Sequence, residues 1–136
     1  MKKKILVFLR VNSNAQEKEQ REVMRQWLNG LGYQDEEIEY CAVGTDNIDS
    51  VVVFVETQSG VYNGRIKAVA AWDIASLGRS ESDLLKLKMF LIERRVQLLV
   101  REPAIKLLND DGTVSMGANM LFSVCAAMVE TNLSKL

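Results

Sequence analysis

The segment Lys4 to Val11, Lys-Ile-Leu-Val-Phe-Leu-Arg-Val, is a nearly unbroken apolar run of β-formers close to the start of the chain. A run without polar alternation is the pattern of a strand covered on both faces, as in the middle of a parallel sheet. Neighbouring parallel strands need crossover connections, usually helices. This one segment therefore asks the rest of the chain to alternate strands with helices.

The rest of the chain meets that demand. Ser13 or Asn14 can cap a helix, with Gln16 and Glu17 three residues further on. Met24, Leu28 and Leu31, with Val23 and Trp27, mark its apolar stripe, and Gly30 and Gly32 end it. Ile38 to Val43 reads as a second strand. Residues 46–60 are ambiguous: Val51 to Val55 has strand composition, but Asp49-Ser50 and Ser59-Gly60 look like helix boundaries, and composition alone favours strand. Ile66 to Ile74 is strand-like, Leu77-Gly78-Arg79 forms a loop, and Ser80-Glu81-Ser82-Asp83 caps a helix carrying Leu84, Leu87 and Leu91. Val96 to Val100 is a buried strand that Pro103 breaks, and Asn109-Asp110-Asp111-Gly112 is a turn. Ser115 opens a last helix with Met120, Val124, Ala127 and Met128 on its apolar side. The alternation means an α/β layer fold.

With 136 residues this is a single domain, large enough to bury roughly 68–70% of its unfolded surface without staples. Cys41 and Cys125 form no C-x-x-C and read as small core residues in a reducing compartment. The six methionines, with Trp27 and Trp72, are expected in the core. There is no histidine, which excludes Ser-His-Asp and Cys-His nucleophile pairs and any imidazole metal ligand. No apolar run approaches the roughly 20 residues that span a bilayer, so a cytoplasmic protein without membrane contact is expected. Neither G-x-x-x-x-G-K-[ST] nor G-x-G-x-x-G is present. The acidic pairs Asp46/Asp49 and Asp110/Asp111 read as turn and capping residues rather than a Mg²⁺ site. No metal and no cofactor are expected.

Chemistry in an open α/β sheet sits outside the carboxyl ends of the strands. Two such ends carry arginine: Arg10, with Asn12, Ser13, Asn14 and Gln16 beside it, and Arg79 after the strand ending at Ile74. Guanidinium groups fork onto phosphate oxygens, and a nearby helix N-terminus offers free N–H groups to the same anion. Spacing alone leaves open that both arginines are simply solvated.

Phe8-Leu9-Arg10-Val11-Asn12-Ser13-Asn14-Ala15-Gln16 resembles the Y-x-R-V-S-T-x-x-Q opening of the serine recombinases, the resolvase/invertase family. Trp72-Asp73-Ile74-Ala75-Ser76-Leu77-Gly78-Arg79-Ser80 is similar to that family's W-x-L-D-R-L-G-R-S. The segment Glu93 to Val100, then Asp111-Gly112 and the helix bearing Phe122-Ser123-Val124, looks like the remainder of its catalytic domain. The resemblance implies a three-layer, flavodoxin-like α/β domain over residues 1–136, with a central, mostly parallel sheet of four to five strands. It also implies that the chain ends early in a long dimerisation helix, with no DNA-binding domain within it. DNA would be the partner, and the last helix would build a homodimer or tetramer.

Family chemistry is attack of a serine hydroxyl on a DNA phosphodiester clamped by arginines. Carried over by the resemblance, Arg10 and Arg79 match phosphate-binding arginines, and Gln16 matches the residue that orients the nucleophile region. The nucleophile position is Asn12, with Ser13 as the neighbouring hydroxyl. The family's Asp and Arg in the second motif fall on Ala75 and Ser76. A further arginine matches either Arg65, in the spacing Ser59-Gly60 to Arg65, or the region of Asn47. The second register is preferred because it puts Asp49 to Gly60 on a helix and Tyr62-Asn63-Gly64 in the turn that follows, overriding the strand reading of Val51 to Val55. The glutamate and arginine of the family's last helix find their nearest match in Glu130-Thr131. The resulting expectation is a site-specific DNA recombinase domain, concerned with DNA binding, strand exchange and integration or inversion, but catalytically degenerate because an amide replaces the hydroxyl. The alternative is a non-catalytic α/β domain that binds a phosphate or nucleotide.

Overall fold

The computed structural model describes residues 3–44 and 57–134. Within them the elements run β1 (Lys4–Val11), α1 (Asn14–Gly30), β2 (Ile38–Gly44), a helical stretch α2 (57–62), β3 (Ile66–Asp73), α3 (Glu81–Arg94), β4 (Gln97–Glu102), β5 (Ile105–Lys106) and α4 (Met116–Ser134). Single 3-10 turns stand at Asp35–Glu37 and Ile74–Ser76. The five strands form one sheet in the order β2-β1-β3-β4-β5, parallel except for the last pair.

As the apolar run demands, β1 is central and covered on both faces: Ile5 to Leu9 are essentially inaccessible. The odd residues Ile5, Val7 and Leu9 face α1, packing with Met24, Leu28, Ala68, Ala70 and Leu99. The even residues Leu6 and Phe8 face a second core built with α3 and α4, which includes Leu84, Leu87, Leu91, Phe122 and Ala126. Side chains of a strand alternate between faces, so this division follows from the pleat. The expected three-layer architecture is the one observed.

Of the helix expected over Asp49 to Gly60 only the last four residues are described; they are helical, and so is Tyr62, which the preferred register puts in the turn. Residues 57–62 are helical and the chain turns directly into β3. Gly60 allows the close return, since a Cβ there would lie 2.1 Å from Ile66 Cδ1. Gly64 adopts φ +74°, which suits a glycine in the turn. Val51 to Val55, Asn47, Asp46 and Asp49 lie outside the described residues.

Several expectations about burial need correction. On α1 only Met24 and Leu28 of the expected stripe are buried, with Gln20 beside them. Val23 is 38% and Leu31 52% exposed. On α4 the expected apolar side is the outward one: Met120 is 66%, Val124 57% and Met128 55% exposed. The body instead receives Phe122 and Ala126. Because α4 is apolar around much of its circumference, its pattern marks apolar positions without saying which of them meet the sheet. Of the described methionines only Met24 is fully buried, and Trp27 and Trp72 are half-buried. Cys41 and Cys125 are partly buried, packed at the edge of the α3/α4 core. Strand β5 was not anticipated; it forms because the turn at Pro103 folds Ile105 back against Val100.

Candidate functional site: the crevice between the first and third strands

After β1 the chain goes to β2 on one side, and it later crosses to β3 on the other. That makes β1/β3 the topological switch point, the place at the carboxyl edge where open α/β sheets take ligands. Pairing of β1 with β2 persists to Val11↔Gly44. Pairing with β3 stops at Phe8↔Ala71, so the two walls part before the strands end.

Arg10 stands two residues beyond Phe8, and Asp73 two residues beyond its partner Ala71. By strand alternation the half-buried Arg10 side chain leaves on the α3/α4 face, as Phe8 does. The turn that follows is held by reciprocal bonds. Ser13 is the N-cap of α1, its Oγ accepting the Gln16 N–H at 3.1 Å, while Gln16 Oε1 accepts the Asn12 N–H at 2.5 Å. This is a capping box displaced by one residue, and it fixes Asn12 and Ser13 in an exposed turn.

The opposite wall follows β3. Asp73 Oδ1 accepts the backbone N–H of Ser76 at 2.9 Å and its hydroxyl at 2.7 Å, closing the 3-10 turn Ile74–Ser76. That turn packs against β1. Arg79 comes next, exposed, and Ser80 caps α3 by accepting the Asp83 N–H at 3.2 Å. Arg10 and Arg79 thus both stand at the carboxyl edge of adjacent parallel strands, each close to the amino end of a helix.

Arg65 lies at the opposite, amino-terminal edge, where its guanidinium pairs with Glu39 and its carbonyl accepts the Lys4 N–H at 2.7 Å. Ala75 is half-buried and Ser76 fully buried. Thr131 donates its hydroxyl to Ala127 O at 3.0 Å. Asp110 pairs with Lys106 at 2.7 Å. Asp111 is held by Thr113, whose hydroxyl and N–H keep its carboxyl below the ordinary carboxylate value. Both act as turn residues. Among the described residues no group of three or more His, Cys, Asp or Glu could hold a metal, and no helix is long and apolar enough to cross a membrane.

Sequence reading passed over Gln20. It occupies the stripe position one turn before Met24, is 5% exposed, and donates from Nε2 to the carbonyl of Arg10 at 2.9 Å. A polar residue at i−4 to a buried Met was the available signal. It also passed over a cleft of ≈ 210 Å³ under α4, lined by Asp73, Ala75, Glu102, Pro103, Cys125 and Met128 among others. Its two carboxylates come from register partners on β3 and β4.

No protein-family model matches the sequence, and no curated protein matches it. Among solved structures, the crystal structure of the N-terminal catalytic domain of TP901-1 integrase is similar over 98% of this chain and 98% of its own length. Its TM-score is 0.62 and its sequence identity 16%. At that identity the likeness is one of fold, and it is the resolvase-like α/β fold that the sequence led us to expect.

Proposed function

We propose that this chain is a recombinase-type domain that holds a DNA phosphate at the β1/β3 crevice through Arg10 and Arg79 and has lost strand cleavage. What supports this reading is that Arg10 ends β1 and Arg79 follows β3, the two strands of the switch point, in a fold similar to that of an integrase catalytic domain. Gln16 supports them by fixing the turn between Arg10 and α1.

Loss of cleavage follows from the chemistry of that turn. Asn12 carries an amide, which cannot attack phosphorus as an alkoxide does. Ser13 has a hydroxyl, but its oxygen accepts the Gln16 N–H as a helix cap, so using it as a nucleophile would forfeit the cap. Removing a nucleophile alone costs on the order of 10⁶ in turnover. With Ala75 and Ser76 where the motif resemblance expects an aspartate and an arginine, transition-state charge loses further stabilisation. The apolar outer face of α4, Met116, Met120, Val124 and Met128, supports assembly as the retained role.

Incubation with supercoiled plasmid, followed by denaturation and gel analysis, tests the reading. No covalent protein–DNA adduct should form, while Arg10→Gln and Arg79→Gln should each weaken duplex binding. An adduct that disappears in Ser13→Ala would show a living nucleophile and overturn the loss of cleavage. Duplex binding indifferent to both arginines would overturn the phosphate site.

A further inference from the structure

A glutamine buried on the sheet-facing stripe of a helix is costly, because its amide leaves water and must find partners inside. Gln20 shares its stripe with Met24 and Leu28, both fully buried, so packing alone would be better served by an apolar residue. Its Nε2 donates to Arg10 O at 2.9 Å, while its Oε1 is buried with no hydrogen-bond partner among the described residues. The amide is therefore retained at a net cost for one bond, and that bond ends on the backbone of the residue at the crevice.

The place of that bond explains its use. β1 loses its β3 partner after Phe8, two residues before Arg10. On that side of the strand the ladder no longer fixes the position of the chain. Downstream, Asn12 and Ser13 are tied to α1 through Gln16 and the cap. Beyond the end of the β3 pairing, where β1 is held by β2 alone, Gln20 ties Arg10's own backbone to α1. We infer that Gln20 is a positioning residue for the crevice, setting where the Arg10 guanidinium stands by fixing the Arg10 carbonyl to α1. The inference rests on the proposed phosphate site for its functional consequence, but its geometric part does not.

Gln20→Met tests it, since the side chain keeps its length and burial and loses only the donor. Two measurements on the full chain separate the possibilities. Amide and carbonyl NMR shifts report the backbone of residues 10–16, and titration with a short DNA duplex reports the anion site, with Arg10→Gln as reference. Thermal stability of Gln20→Met should change little, because loss of the unpartnered Oε1 offsets the Arg10 carbonyl left without its donor. The shifts of Arg10 to Asn12 should nonetheless move while those of β4 stay, and duplex affinity should fall about 3-fold to 10-fold, the worth of one ordinary hydrogen bond.

Gln20→Glu adds a readout that a packing role would not give. A protonated carboxyl can donate to the Arg10 carbonyl and an ionised one cannot, so its affinity relative to wild type should recover as pH falls. Unmoved shifts at Arg10 to Asn12 overturn the inference whatever happens to DNA. Moved shifts with an affinity loss in Arg10→Gln but none in Gln20→Met overturn it as well. Moved shifts with no affinity loss in either variant uphold the positioning of the backbone and instead sink the phosphate site.

Discussion

Lys88 is 6% exposed, and its Nζ donates to Ser123 Oγ at 2.8 Å across the α3/α4 contact, Ser123 in turn donating to Asn119 O at 3.1 Å. Burial pushes its ammonium below the ordinary lysine value of 10.5. Between the lowered folded value and 10.5 the unfolded chain binds more protons, so stability should rise with pH across that window and be lowest beneath it. Lys88→Met should abolish the rise and leave neutral-pH stability unchanged or about 1 kcal/mol higher, as apolar replacement of a buried charge commonly does. Ser123→Ala strands the ammonium and should cost about 1–3 kcal/mol. Urea unfolding of the three proteins at several pH values checks this, and parallel curves for wild type and Lys88→Met would contradict it. Ser13 belongs to the same scale: Ser13→Ala removes the α1 cap and should lower stability by about 1 kcal/mol, measurable in the same experiment.

At the level of elements, α4 has an unusual division of surface. Phe122 and Ala126 dock on the body, and Phe122→Ala should cost about 3–5 kcal/mol. Met120 and Val124, more than half exposed, contribute little to the isolated fold, so Met120→Glu and Val124→Glu should change stability by less than about 0.5 kcal/mol. If the outer face serves assembly, sedimentation velocity should show association of the wild-type chain that these changes abolish; identical profiles would assign the face no such role. This helix also shows where sequence reading stops. Strand β1 and helices α1 and α3 were legible because an apolar run, a capping box and a leucine stripe each have one physical solution. On α4 apolar residues occupy nearly every angle, and only the shape of the sheet selects Phe122 over Val124. Two-residue β5 has no periodicity to read, and it owes its existence to the turn that precedes it. At the site, Arg10 and Arg79 were legible as residues that follow strands. Gln20 was not, since its partner is a backbone carbonyl that only the fold brings near.

For the whole molecule, charge decides how DNA could be held. The net charge is −1, so no overall field draws a polyanion in, and any affinity must come from local convergence of cations. Away from the crevice many basic residues are already matched: Arg25 pairs with Glu22, Lys67 with Glu37, Arg65 with Glu39 and Lys106 with Asp110. Each phosphate neutralised contributes about −0.9 to the slope of log affinity against log salt on duplex DNA. If the crevice engages one phosphate through Arg10 and Arg79 alone, that slope should be close to about −1. Arg10→Gln and Arg79→Gln should each bring it nearer zero, whereas Lys106→Gln, on the far edge strand β5, should leave it unchanged. Fluorescence anisotropy with a labelled duplex over a range of salt concentrations gives all four slopes. A steep slope insensitive to both arginines would mean that some other surface carries the DNA, because the counterions released would then come from cations the crevice does not contain.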